Sequence, residues 1–163
     1  PPPRPEVTDL SALVSQVVTL QRANAKSAQI EIIEKKRLPS VSCDREQIIQ
    51  VVTNLIQNAL EAIGSDGAGG KVGVTLVQSV DRVEIEVSDN GPGVAADMAE
   101  RLFEPYATNK PSGTGLGLAI AQRIAIEHGG ELAYVSRPGS GAVFRLVLPL
   151  DGPPPVSEMP ASG

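Results

Sequence analysis

Four clusters in this sequence consist of residue types that can do chemistry. Asn54 and Asn58, within NLIQNALEAI, stand four apart, which puts both amides on one helical face beside the apolar stripe. An amide oxygen there can bind a hard cation such as Mg²⁺, which takes oxygen ligands and shares them with phosphates. Asp89-Asn90-Gly91-Pro92-Gly93 follows an alternating strand pattern. Its glycines let backbone approach a flat ligand, and its carboxylate can accept from an exocyclic amine. Gly113-Thr114-Gly115-Leu116-Gly117-Leu118 opens a helix, so N–H groups and the positive dipole end face any phosphate placed there. It matches neither the dinucleotide spacing G-x-G-x-x-G nor a P-loop with G-K-[ST]. Leu102-Phe103-Glu104-Pro105-Tyr106, with Lys110 beyond it, holds half of the four aromatics in the chain and a cation within reach of a phosphate. Taken singly, each cluster has a plainer reading: a solvated helix face, an ordinary turn, a helix start, and a small apolar cluster under a loop.

The elements that must position these clusters follow from periodicity. Leu10, Leu13, Val14, Val17, Val18 and Gln21 predict a helix over 8–24, capped by Thr8 or Asp9. Ile30 and Ile32 predict a strand. Asp44, with Gln47 three residues on, resembles a capping box, and Ile48, Val52, Leu55, Ile56, Ala59 and Ile63 form the buried stripe of the helix it opens. Five glycines between 64 and 73 end that helix. Val72, Val74 and Leu76, then Val83, Ile85 and Val87, predict a hairpin turning at Asp81. Residues 90–115 are long and glycine-rich, the mark of a functional lid, with one short helical piece around 98–103. A helix over about 115–128, capped by Gly129-Gly130, and strands over 131–136 and 142–148 complete the pattern. The fold class is therefore α/β with mostly antiparallel pairing.

Composition narrows the function classes. The chain has 163 residues, enough for one domain, and a net charge of −5 argues against a duplex nucleic-acid binder. Only 2% of residues are aromatic, so Val, Ile, Leu and Ala must build the core. One cysteine, Cys43, excludes an internal disulfide or cysteine zinc cluster, and one histidine, His128, excludes the usual multi-histidine metal site. No apolar run reaches a membrane span, no signal peptide opens the chain, and the domain reads as cytoplasmic. Pro1 in place of Met reads as a segment of something longer. Residues 1–7 are expected as a flexible start or linker and 150–163 as a disordered Pro-rich tail. The domain itself should occupy 8–149, with its lid at about 91–115.

Together, in this order and spacing, the clusters resemble the ATP-binding catalytic domain of bacterial two-component sensor histidine kinases. NLIQNALEAI is similar to that family's N box, DNGPG to its first glycine box, LFEPY to its phenylalanine box and GTGLGLAI to its second glycine box. The run LFEPYATNKPSGTGLGLAIAQRIAIEHGG most resembles the nitrogen-regulation (Ntr-type) sensor kinases. The resemblance implies a two-layer α/β sandwich, the Bergerat ATP-binding fold, with a mixed, mainly antiparallel five-stranded sheet and three helices on one face. It implies ATP and Mg²⁺ as cofactors, held by Asn54, Asn58, Asp89, Gly91, Gly93, Lys110, Gly113, Thr114, Gly115, Leu116 and Gly117, with Asn58 on the metal and Asp89 on the adenine amine. It also implies a helical phosphoacceptor and dimerisation hairpin outside this sequence, a response regulator as partner, and a homodimeric, membrane-anchored full-length kinase.

Two departures bear on this. Glu61 stands where many relatives carry a basic residue that touches phosphate, which shifts that contact to Lys110. The phosphoacceptor histidine is missing, because His128 lies in the EHGG that ends a helix. A stand-alone ATPase switch of the same superfamily and an anti-sigma-factor-type serine kinase are the alternatives. The first lacks the water-activating glutamate expected at position 54, which is Asn54.

Overall fold

A computed structural model describes residues 1–64, 67–105, 116–137 and 141–153. Helix α1 (Leu10–Arg22) begins where the Asp9 carboxylate accepts from the Ala12 N–H at 3.0 Å, and it buries the predicted Leu10, Leu13, Val14, Val17, Val18 and Gln21. Helix α2 (Arg45–Ile63) begins at Asp44, whose carboxylate accepts from the Gln47 N–H at 3.2 Å. Strands β2 (Gln29–Glu34), β4 (Lys71–Gln78), β5 (Arg82–Asp89), β7 (Val143–Pro149) and β6 (Glu131–Val135) form one sheet in that spatial order. Strand β2 pairs with β4 in parallel, and the other pairs are antiparallel.

Alternation decides which face is covered. Val72, Val74 and Leu76 of β4, Val83, Ile85 and Val87 of β5, and Phe144, Leu146 and Leu148 of β7 are buried on one side, under α1, α2 and α4 (Gly117–Glu127). On the other side Glu86 faces Arg145 across the β5–β7 register, and Arg145 and Arg137 both bond its carboxylate. Partial burial alone would raise the pKa of Glu86. The two guanidiniums outweigh it and hold the carboxyl below its ordinary value. The expected two-layer sandwich with three helices on one face is what forms. A further helix, α3 (Ala96–Ala99), is one turn long and lies in the predicted lid. After it, Leu102 is buried and Phe103 sets its ring edge-on to Phe144, centroids 6.2 Å apart.

Two expectations are corrected. Residues 1–7 are not simply an unpaired start: β1 (Glu6–Thr8) pairs antiparallel with β3 (Val41–Cys43), and Pro3 is buried. Neither three-residue strand is long enough to leave an alternating trace. The tail is ordered through its first residues, with the Leu150 N–H donating to the Asp81 carbonyl and Gly152 packed on Ser42. The sheet is mixed as expected: β2 pairs with β4 in parallel, since α2 lies between them in sequence. Residues 106–115 of the lid and 154–163 of the tail lie outside the described residues.

His128 explains why the capping box at Asp44 is only half made. The Asp44 N–H, which Gln47 would bond in the full motif, instead donates to His128 Nε2 at 3.0 Å. His128 Nδ1 donates to the Ile124 carbonyl at 2.8 Å, which fixes the tautomer, and the ring is 1% exposed. Gly129, at φ +80°, and the Gly130 N–H to Ala125 O bond finish α4. The Arg4 N–H donates to the other Asp44 oxygen at 2.8 Å, so one residue joins the chain entry, the start of α2 and the end of α4.

Burial holds His128 below the ordinary imidazole value, against the opposing pull of the Ile124 carbonyl, Asp44 and Glu127. With the folded value depressed, the unfolded chain binds the proton first. The stabilisation is complete above about pH 6.5 and declines as pH falls below it. Thermal unfolding of the wild type should therefore be flat from pH 8 to 7 and lose midpoint temperature from pH 6.5 to 5. His128→Gln should melt lower but stay flat across that window; the same slope in both would contradict the assignment.

Candidate functional site

Asp89 ends β5, in register with the core-facing Val83, Ile85 and Val87, and is 6% exposed. A carboxylate so placed needs hydrogen bonds. Its Oδ1 accepts from the Gly91 N–H at 2.9 Å and the Ala142 N–H at 3.2 Å. Its backbone is tied to the same neighbour strand, with Asp89 N donating to Ala142 O at 3.0 Å and Gly141 N donating to Asp89 O at 2.9 Å. The carboxylate is thus held in one orientation by backbone from both sides. Asn90 turns the other way, accepting from the Lys71 N–H and donating to the Gly69 carbonyl, which anchors the turn to the start of β4.

Helix α2 supplies the adjacent wall. A β-carbon on Gly91 would lie 2.8 Å from the Ala62 carbonyl, so the turn after Asp89 rests directly on the last turn of α2. Two turns earlier, Asn54 Nδ2 donates to the Gly117 carbonyl at 3.4 Å, where α4 begins. The contacts at Asn54 and Ala62 are about 12 Å apart along the helix, comparable to an extended nucleotide, and half-buried Asn58 lies midway between them. Among the described residues no side chain caps the amino end of α4. Its first-turn N–H groups and dipole therefore suit an anion. The donor set is a held carboxylate, an amide oxygen for a hard cation, and backbone N–H groups for phosphate, which is what a metal–nucleotide requires.

The structure brings together Asp89, Gly91, Gly93, Asn54, Asn58, Leu116 and Gly117. Gly93 has φ +81°, a conformation that favours glycine, and faces Gly141. Lys110, Gly113, Thr114, Gly115 and Tyr106 lie outside the described residues, and Glu61 is exposed. Sequence reasoning missed Gly141 and Ala142. Their only local signal was the glycine pair Gly139 and Gly141 before the last strand. A recess of about 240 Å³ beside Gln29, Glu31, Lys71 and Ser88 also reaches Asp89 and Asn90, but no residue of α2 or α4 lines it. Among the described residues no group of three or more His, Cys, Asp or Glu could hold a metal, so a cation here would rest on amide and phosphate oxygens.

Comparison with known proteins bears on the family and the fold. Residues 43–152 match the family described as histidine kinase-, DNA gyrase B-, and HSP90-like ATPase. The sensor histidine kinase ZraS of Escherichia coli (strain K12) is 38% identical over 148 residues, covering 90% of this chain and 31% of that protein. The signal transduction histidine-protein kinase AtoS of the same strain is 37% identical over 145 residues, 87% of this chain and 23% of that one. The chain thus spans under a third of the length of these relatives. The nucleotide-free catalytic domain of histidine kinase ThkA superposes with a TM-score of 0.82 at 30% identity, covering 91% of this chain and 97% of that domain. Full-length ShkA in complex with AMPPNP gives 0.78 at 31% identity, over 91% of this chain and 31% of that one.

Asp89→Ala leaves the Gly91 and Ala142 N–H groups without their acceptor in a buried place. It should cost about 1–3 kcal/mol in urea unfolding. Asp89→Asn keeps an acceptor oxygen and should cost less than half as much; equal losses would mean the two N–H bonds are not what the carboxylate provides.

Proposed function

The chain belongs to the histidine kinase-, DNA gyrase B- and HSP90-like ATPase family, and on that premise we propose that its site between Asp89, α2 and α4 binds Mg·ATP. In this reading it presents the γ-phosphate to a histidine on a separate helical hairpin of a two-component sensor kinase. The observation that carries the proposal is the buried Asp89 carboxylate, pre-aimed by two backbone N–H groups, at one end of a wall whose other end meets the start of α4.

Each residue has a distinct task. Asp89 accepts from the exocyclic amine of adenine, and Gly91 and Gly93 keep the wall of the base pocket free of side chains. Asn58 offers its amide oxygen to Mg²⁺, which when bound neutralises charge on the phosphates. Asn54 ties α2 to the start of α4, and the backbone of Gly113–Gly117 and the Lys110 ammonium receive the phosphates. Asn54 is an amide and provides no general base for water, which sets this site apart from a hydrolytic switch. His128 is excluded as acceptor because it is buried and both ring nitrogens are bonded. The partners are then the phosphoacceptor hairpin of the same kinase, within a homodimer, and a response regulator. The relative ThkA has been solved in complex with its response regulator TrrA, which supports the last. The resemblance of LFEPYATNKPSGTGLGLAIAQRIAIEHGG to the nitrogen-regulation type supports assigning the chain to that type within the family. No helix among the described residues is long and apolar enough to cross a membrane. A cytoplasmic location for the domain, and anchoring of the whole kinase elsewhere, complete the proposal.

Calorimetric titration separates the two ends of the site. Asp89→Ala should weaken ATP about tenfold to a hundredfold, with or without Mg²⁺, since a hydrogen bond to a charged group is lost. Asn58→Ala should reduce only the gain that Mg²⁺ confers and leave adenosine binding unchanged. Equal losses for adenosine and Mg·ATP in Asn58→Ala would remove it from the metal.

With γ-labelled ATP the chain should take up no label by itself, because transfer needs an acceptor placed in line with the phosphate. Adding the hairpin of the parent kinase should give acid-labile label on the hairpin. Label on this chain that disappears in His128→Gln would overturn the proposal.

A further inference from the structure

Three glycines surround Asp89, and they are not equivalent. Gly93 needs its glycine for backbone conformation, at φ +81°, while a β-carbon on it would meet Gly141 only at an ordinary 3.8 Å. Gly141 is the reverse. It is not among the glycines at positive φ, so what glycine supplies there is room. A β-carbon on Gly141 would lie 2.3 Å from Asp89 Oδ1, 2.7 Å from the Asp89 carbonyl and 2.8 Å from the Gly91 nitrogen. Two of those three atoms are backbone and cannot rotate aside, and the third is held by the Gly91 and Ala142 N–H groups. Any side chain must therefore lift the segment off the end of β5.

From this we infer that Gly141 is a specificity-determining positioning residue for the base. Its bare Cα lets the segment entering β7 close on Asp89, and the closure delivers the Ala142 N–H that aims the carboxylate. The assignment rests on the reading of Asp89 as the adenine contact. Lifting the segment breaks Gly141 N to Asp89 O and Ala142 N to Asp89 Oδ1 together. The carboxylate then loses one of the two backbone donors that aim it and is held less firmly in direction. Adenine offers a donor where guanine offers a carbonyl acceptor, so a carboxylate no longer held in one direction discriminates between them less well. Gly141 would touch no ligand itself and would act through Asp89.

The test is Gly141→Ala, titrated with ATP and with GTP, with Gly73→Ala as a control on the opposite face of the sheet, where the added carbon meets Ser88 Oγ at 3.0 Å. ATP affinity should fall about tenfold or more, and GTP affinity should change much less, so the ATP-to-GTP ratio collapses. The gain from Mg²⁺ and the ratio in Gly73→Ala should both be preserved. A wild-type ratio in folded Gly141→Ala overturns the inference while leaving the adenine reading intact. Equal ATP and GTP affinities in the wild type overturn both. Should Gly141→Ala not fold, amide exchange in Asp89→Ala decides instead. The Ala142 N–H should be protected in the free wild type and exchange at least tenfold faster in the variant, whereas unchanged protection would show that Ala142 does not hold the carboxylate.

Discussion

A carboxylate buried at the end of a central strand must be hydrogen-bonded, because leaving such a group without partners costs several kcal/mol. Asp89 imposes that condition on everything around it. Meeting it takes the Gly91 N–H from the turn that follows and the Ala142 N–H from the strand alongside. Those bonds in turn require a glycine at 141 for room and bring the turn down onto the end of α2. The position of α2 against the sheet, the path of the chain after β5 and the entry to β7 are thus all set partly by one side chain.

The opposite end of the helical layer is fixed by a second buried polar group. His128 links the end of α4 to the first turn of α2 by accepting from the Asp44 N–H, and Asp44 also receives the Arg4 N–H. Helices α2 and α4 are therefore tied at the Asp44–His128 junction and again where Asn54 meets Gly117. Two attachments on the same pair of helices leave little freedom for the face of α2 that carries Asn54, and Asn58 stands one turn further along that face. The solvent side of the sheet plays no part in this: its Glu86–Arg145–Arg137 group is charged, partly exposed and directed away from the helices.

Much of this was legible in the sequence where residue type and period speak locally. Asp9 and Asp44 announced helix starts, alternation placed Val72–Leu76 and Val83–Val87 on the buried face, Asn58 stood out by its spacing of four from Asn54, and Asp89 by the glycines that follow it. The parts that were not legible depend on partners distant in the chain. Strands β1 and β3 are three residues each and are recognisable only as a pair. The bond between Asp44 and His128 spans 84 positions and leaves no periodic trace, so His128 read merely as the end of a helix. Gly141 belonged to an unremarkable turn until Asp89 was placed against it, 53 residues from Ala142. The two-layer class followed from pattern, and the helix expected between β2 and β4 is what permits their parallel pairing.

The central claim is that the base end of a nucleotide lies at Asp89 and its metal at Asn58, on the helix side of the sheet. A crystal structure of the chain with Mg²⁺ and a non-hydrolysable ATP analogue tests it most directly. The predicted result is the adenine amine within hydrogen-bond distance of Asp89, the metal on the Asn58 amide oxygen, and the phosphates at the start of α4. A nucleotide bound elsewhere, such as in the recess beside Glu31 and Lys71, or one whose base turns away from Asp89, would contradict it.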